Sequence, residues 1–217
     1  MKRDPADVVR EYGPFAGVKN IGGVSYDGER IWLAVGQELR AIDPASGDTV
    51  RSIDIAAQAG TAFDGRHLYQ VSDGSIRRID PDTGAILATI PAPAGGGDSG
   101  LAWAEGWLWV GDYRGRRIHQ VDPGTGEVLR SIESNRFVTG VSWADGELWH
   151  ATWEGEESEL RRLDPRNGSV VDALAMPPGT FVSGLESDGA DLFYCGGGGS
   201  ARLRAVRKPR RRRGGST

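Results

Sequence analysis

The sequence predicts an all-β fold: a five-bladed β-propeller with four antiparallel strands per blade and an N-terminal strand that closes the last blade. Three observations predict it. A degenerate unit of about forty residues repeats along the chain, a period that belongs to solenoids, propellers and arrays. Copies begin at Gly23, Gly60, Gly100 and Gly140, and a shorter one begins at Gly184. Each copy reads as strand throughout, with no helical pattern between copies. The segment missing from the fifth copy has a counterpart near the N-terminus.

The third copy shows the elements in order. Gly100-Leu101-Ala102-Trp103 is a short strand and Glu105-Gly106 a turn. Leu108-Trp109-Val110 is a second strand, rich in residues that favour sheets. Residues 112–115 form a loop, and Arg117 to Val121 alternate with a period of two, as a third strand does. Asp122-Pro123-Gly124-Thr125-Gly126 is a turn, in which proline presets φ and glycine tolerates a positive φ. Glu127 to Ile132 is the fourth strand. Four antiparallel strands per repeat make a propeller blade. Aromatics recur at the end of the first strand (Tyr26, Phe63, Trp103, Trp143) and in the second (Trp32, Tyr69, Trp109, Trp149, Phe193). Their regular placement points to packing between blades.

The fifth copy lacks its outermost strand. Asp7 to Tyr12 resemble Asp48 to Ile53 and Glu127 to Ile132, so this segment is expected to dock beside Arg202 to Val206 and cover two sheet edges. Residues 1–208 are then one propeller domain, and 209–217 a basic, disordered tail.

Composition sets limits. The 217 residues include 33 Gly, the turn residues of a many-stranded fold, and one Cys, which allows no internal disulfide. No stretch is long enough to span a bilayer, and no apolar targeting segment follows Met1. A reduced, cytoplasmic location is the expectation. Residues 202–213 hold eight of the 26 basic residues and no acid. The remainder carries eighteen basic against thirty acidic residues, a formal charge of −12. An acidic body is poorly suited to grip a phosphate backbone. The expected partner is a small-molecule ligand or substrate, with no membrane, no nucleic acid and a monomeric chain.

Chemistry is sought where a residue breaks the repeat. After the second-strand aromatic the copies read Leu33, Gln70, Val110, His150 and Tyr194. An imidazole at His150 could serve as a general acid, a general base or a metal ligand, and equally as a hydrogen-bonded inter-blade side chain. Two residues after the repeat glycine stand Ser25, Ala62, Ala102, Ser142 and Glu186. A buried Glu186 must pair or raise its pKa. Ser99, Thr139 and Ser183 precede that glycine and could form an arc of hydroxyls at the mouth, or stabilise turns. The longer loops of blades three and four bring Asp112, Tyr113, Arg114, Trp153 and Glu154, and the connection before blade four adds Arg136 and Phe137. Arg114 and Arg136 beside His150 suit a small anionic or amide ligand with aromatic walls. His150, with Glu186 or Glu154 as carboxylate partner, is the catalytic candidate. Gln70 and Tyr194 belong to the same ring of positions. His150 with Glu154, or Asp112 with Glu154, could hold a divalent ion such as magnesium or calcium. Cys195 is read as aligned with Ala151, facing away from His150. The repeated Asp-Pro turn is a turn device and not a calcium site.

The run Gly-Leu-Ala-Trp-x-x-Gly-x-Leu-Trp-Val-Gly-Asp-Tyr from Gly100, followed by Arg-Ile-His-Gln-Val-Asp-Pro-x-Thr-Gly-Glu-Val-Leu, resembles the small bacterial propellers called glutamine cyclotransferase-like. These are close to streptogramin B lyase-like and YncE-type propellers. The resemblance covers nearly the whole chain. It implies five blades and an enzyme acting on a small amide, amino acid-like or lactone substrate by acid–base chemistry at the channel mouth, as a lyase, a glutaminyl cyclotransferase or a hydrolase. In the propeller cyclases a Leu-Tyr-Glu-Ser segment carries a catalytic Glu; here the segment is Ile31-Trp32-Leu33-Ala34, with Leu33 in that place. The streptogramin lyases use a His/Glu/His set with magnesium, of which His150 and a nearby Glu are present. The alternative function is a non-catalytic propeller that binds a small molecule or a protein.

Overall fold

Tight turns between short alternating segments leave the chain little choice but antiparallel sheet. At the third-to-fourth strand turn of four blades, an Asp carbonyl accepts from a glycine N–H: Gly47 to Asp43, Gly84 to Asp80, Gly126 to Asp122 and Gly168 to Asp164, at 2.7–2.9 Å. Each of these glycines has φ between 74° and 87°, which favours glycine. The Asp80 and Asp122 carboxylates are spent on the N–H groups of the same turns, as the turn reading requires.

The computed structural model describes residues 2–209. Two strands, β1 (Lys2–Pro5) and β2 (Val8–Tyr12), precede the first blade. Blade one is β3 (Gly23–Tyr26), β4 (Ile31–Ala34), β5 (Gly36–Ile42) and β6 (Thr49–Ala57). Blade two is β7 (Thr61–Phe63), β8 (Leu68–Ser72), β9 (Ser75–Ile79) and β10 (Ile86–Pro91). Blade three is β11 (Asp98–Ala104), β12 (Trp107–Asp112), β13 (Arg117–Val121) and β14 (Val128–Glu133). Blade four is β15 (Phe137–Ala144), β16 (Glu147–Glu154), β17 (Glu157–Leu163) and β18 (Val170–Ala175). Blade five is β19 (Gly184–Ser187), β20 (Leu192–Gly196) and β21 (Leu203–Arg207), completed by β2, which pairs antiparallel with β21.

The innermost strands meet at a ring of glycines. A Cβ added to Gly23 would lie 2.4 Å from Ala59 O, and one on Gly60 2.4 Å from Leu101 N. On Gly100 it would lie 2.4 Å from Val141 N, on Gly140 2.9 Å from Leu185 N, and on Gly184 2.8 Å from Val24 N. Each glycine thus abuts the backbone of the next blade, and the fifth returns to the first. The inner strands can approach this closely only without side chains at that level.

Aromatic pairs fill the wedge between blades further out. Tyr69 stacks on Trp103 at 5.4 Å, Trp109 on Trp143 at 5.4 Å, and Trp149 meets Phe193 at 4.9 Å. Tyr194 closes the circle on Tyr26 at 5.7 Å. At the rim, arginines of outer strands reach a carbonyl in the next blade's turn. Arg10 and Arg130 donate to Pro44 O at 2.9 Å and Pro165 O at 2.6 Å, and Arg51 donates to Asp82 O.

Two features depart from the sequence reading. First, blade four has a fifth strand: β1 runs parallel to β18, with Arg3 opposite Ala173. Secondly, blade five is shifted by one residue against the alignment of its repeat. Tyr194 pairs with Glu186 as Trp149 pairs with Ser142, and Cys195 pairs with Leu185 as His150 pairs with Val141. Tyr194 therefore holds the inter-blade aromatic place, and Cys195, read as aligned with Ala151, holds the place of His150. A shift of one residue turns every side chain to the other face. The basic residues 210–213, and the disordered tail expected there, lie outside the described residues.

Replacing Gly100 with Ala is expected to lower unfolding stability by roughly 3 kcal/mol or more, because backbone on both sides must yield. Gly199→Ala, where a Cβ would meet nothing within 4 Å, is the control and should change little. Urea unfolding of the two variants measures the difference.

Candidate functional site

The lead-ins to all the blades converge on one side of the glycine ring. They line a cup of about 380 Å³, with Asn20 and Gly22 from blade one and Gln58 and Ala59 from blade two. Blade three adds residues 96–99 together with Tyr113 and Arg114, blade four Thr139, and blade five Phe181 and Ser183. Of the residues singled out from sequence, Ser99, Tyr113, Arg114, Thr139 and Ser183 come together here.

The hydroxyls are largely engaged in holding blades together. Ser99 Oγ lies 2.7 Å from Val138 O, and Ser183 Oγ donates to Ile21 O while accepting from Gly198 N at 2.8 Å. Thr139 Oγ1 is buried without a protein partner among the described residues. The Arg114 guanidinium is exposed and has no ion-pair or hydrogen-bond partner among the described residues. Aromatics flank the cup: Tyr113 stacks on Phe137 at 4.7 Å, and Trp153 meets Phe181 edge-on at 4.9 Å. Arg116 lies 4.2 Å above Phe137 and 3.3 Å from Glu154 Oε1, so Glu154 is held in an ion pair. Asp112 Oδ1 accepts from Gly115 N at 2.7 Å and shapes its own loop.

The other candidates lie elsewhere. His150 is fully buried on β16, between Val141 and Arg161 on the flanking strands. Its neighbour Trp149 faces blade five, so alternation turns His150 toward blade three, where it lines a cleft with Ser134 and Asn135. Among the described residues neither ring nitrogen has a protein partner, and burial, followed by the nearby Arg161 charge, lowers its pKa from 6.5 to about 3. His150 is thus a neutral imidazole at neutral pH. Gln70, at the same place in blade two, donates to Ala59 O at 3.1 Å and Val71 O at 2.7 Å, tying down the blade-two lead-in.

Glu186 lies two residues past the ring glycine Gly184, so the ring separates it from the cup. Its Oε1 accepts from Ser142 Oγ at 2.9 Å and from Ser187 N at 2.7 Å. Desolvation raises its pKa to about 8 despite those bonds, which leaves it mainly a carboxylic acid at neutral pH. Arg136 joins a cluster of charges on blade four. Its Nη1 is 3.5 Å from Glu159 Oε2, and the same carboxylate takes Arg161 Nε at 2.7 Å and Arg3 Nε at 2.8 Å. Tyr194 packs against Tyr26 between blades five and one.

The structure therefore does not bring His150, Glu186 and Arg136 to Arg114. Among the described residues no group of three or more His, Cys, Asp or Glu is placed to hold a metal ion. Sequence reasoning missed Asn20, Gln58 and Phe181. The available signal was position, because each lies within four residues before a ring glycine.

The family model described as outer membrane protein assembly factor BamB (PQQ_2) matches residues 72–198, more than half of the chain. The chain belongs to that family. No curated protein matches it. Among solved structures, the glutaminyl cyclase of Myxococcus xanthus is 20% identical, with a TM-score of 0.79 over 95% of this chain and 97% of that one. Hydrazine synthase of Kuenenia stuttgartiensis is 17% identical, with a TM-score of 0.53 over 83% of this chain and 56% of that one. A chain of a mitotic checkpoint complex is 11% identical, with a TM-score of 0.58 over 97% and 94%. At these identities the likenesses show the fold alone. The expected resemblance to cyclotransferase-like five-bladed propellers stands.

The expected cytoplasmic location is corrected by the BamB-family match, since that model describes an outer membrane protein assembly factor. The expectation rested on a single Cys and on seeing no apolar targeting or membrane-spanning stretch; one thiol cannot close an internal disulfide in any compartment. Among the described residues no helix is long and apolar enough to cross a membrane.

The two shifted groups predict opposite pH dependences. Folded His150 resists protonation between its ordinary pKa of 6.5 and about 3, while the unfolded chain takes up a proton. Stability should therefore fall as pH drops through that window, by up to ~1.4 kcal/mol per pH unit. Folded Glu186 keeps a proton that the unfolded chain loses between 4.5 and about 8, so its contribution fades as pH rises through that range. His150→Leu should reduce the acid-side slope, to which carboxylates of lowered pKa such as Asp27 and Asp64 also contribute, and Glu186→Gln the neutral-side one, read as urea midpoints against pH.

Proposed function

We propose that this propeller is a binding protein, and that its cup receives an anionic group, such as a carboxylate, presented by a small molecule or a partner chain. The observation that carries this reading is the free Arg114 guanidinium at the lip of a cup with aromatic walls. An unpaired guanidinium offers two parallel N–H donors, the geometry that a carboxylate matches. Pairing Tyr113 with Phe137, and Trp153 with Phe181, supplies apolar surface beside it. An assembly factor is the description that the BamB-family model carries, and binding without turnover is compatible with it.

Catalysis in the manner of a glutaminyl cyclotransferase is the second reading, favoured by the near-complete superposition on the Myxococcus xanthus enzyme. It demands an acid–base group in the cup. Leu33, which stands where the resembling cyclases place their acid, is buried in an apolar cluster with Ile21, Val24 and Tyr194. The cup's own carboxylate, Asp98, accepts from Ala94 N and Gly96 N at 2.9 and 3.1 Å, which holds it in its turn. His150 and Glu186 lie outside the cup, as described above.

Titration with short peptides bearing a free C-terminal carboxylate, followed by calorimetry, tests the binding reading. Arg114→Ala should weaken binding about tenfold or more while thermal stability is kept. Equal affinity for the variant would reject it. Conversion of N-terminal glutaminyl peptides to pyroglutamyl product, detected by mass spectrometry, would favour the second reading.

A further inference from the structure

The fifth strand of blade four shows how an outer blade edge in this protein takes an added chain. β1 pairs parallel with β18, from Lys2 opposite Asp172 to Pro5 opposite Ala175. Its Arg3 reaches inward, with Nε 2.8 Å from Glu159 Oε1 and Nη2 2.8 Å from Glu157 Oε2. Glu159 is almost fully buried and also bonds Arg161, two residues on, with Arg136 beside it.

Blade one repeats this socket. Arg40 holds the place of Arg161, since it pairs with Leu33 and Ser52 as Arg161 pairs with His150 and Ala173. Glu38 holds the place of Glu159: Arg40 Nε donates to Glu38 Oε1 at 2.8 Å, and Arg40 Nη2 bonds the same oxygen. Lys19 precedes its ring glycine by four residues, as Arg136 does, and lines the same pocket of about 580 Å³ as Glu38, Arg40, Ser52 and Asp54. The matching position in blades two, three and five is Ser75, Arg117 and Arg202, so the carboxylate is confined to blades one and four.

The two sockets differ at their outer edges. In blade four Ala173 and Leu174 are buried, with β1 beside them. In blade one β6 is the edge strand, nine residues long, and Ser52 and Asp54 are exposed. Asp54 takes the place of Ala175, putting a second carboxylate on the Glu38 side of the edge.

We infer that the β6 edge from Arg51 to Asp54 is a docking site for an extended segment of a partner protein. The segment adds to blade one as a parallel fifth strand, with an arginine opposite Ser52 and its guanidinium between Glu38 and Asp54. Main-chain hydrogen bonds to the edge supply affinity, and the carboxylates select the arginine. Glu38, Ser52 and Asp54 do not line the cup, so the proposal does not depend on the binding role given to Arg114.

The probe is a peptide with the chain's own sequence Lys2 to Val8, titrated into the full chain by nuclear magnetic resonance. Saturable shifts confined to β6 and β5, with slowed exchange of the Arg51–Asp54 amides, are expected. Asp54→Asn and Glu38→Gln should each weaken binding about tenfold, and a peptide with glutamate for arginine should not bind. Asp54→Asn changes an exposed side chain, so it remains informative if Glu38→Gln disturbs Arg40. Shifts on β18, meaning that the peptide replaces β1, would overturn the proposal. Unchanged affinity of Asp54→Asn, or no saturable binding, would overturn it as well.

Discussion

Everything in this molecule is arranged around the distance that five glycines allow between neighbouring backbones. Gly23, Gly60, Gly100, Gly140 and Gly184 each leave out the one atom that would strike the next blade. Because the strands meet there, the axis is pinched at that level. Lead-in residues before the glycines are gathered into a cup, and residues after them are shut off on the far side. Ser183 and Glu186 are three residues apart, yet only Ser183 faces the cup.

Close approach at the axis obliges polar groups near it to find partners in the adjacent blade. Buried donors and acceptors are costly unless paired. Ser99 and Ser183 answer this by bonding carbonyls of the following blade, Ser25 by lying 3.3 Å from Thr61, and Ser142 by donating to Glu186. Residues that look like chemistry in a repeat comparison are therefore often blade-to-blade fastenings. His150 and Thr139 are exceptions, buried without such partners among the described residues: burial keeps His150 neutral, and it faces a cleft between blades three and four and not the axis.

Much of the architecture was legible because it repeats. Asp-Pro turns, ring glycines and paired aromatics recur at one spacing, and the strand Val8–Tyr12 carries the outer-strand pattern that blade five lacks. Blade five was misread by one residue because Phe193 and Tyr194 are adjacent aromatics. Only the ladder decides which of them faces blade one. β1 escaped notice because four residues ending in proline carry no strand signal, and its place comes from the Glu157 and Glu159 carboxylates that take Arg3. Arg114 and Tyr113 were found through loop length, whereas Phe181 and Gln58 are marked only by their place just before a ring glycine.

By itself the sequence determined the number of blades, the order of strands within each, the glycine level and the strand that closes the ring. These are set by local periods and turn chemistry, which act over a few residues. The tertiary structure decided which pattern-breaking residues meet. Facing direction depends on pairing register and on the neighbouring blade, and those are settled only when the ring closes. Thus Arg114 stands free above a cup, Arg136 is drawn into the cluster around Glu159, and Glu38 lies beneath an open edge in the position that Glu159 holds under Arg3.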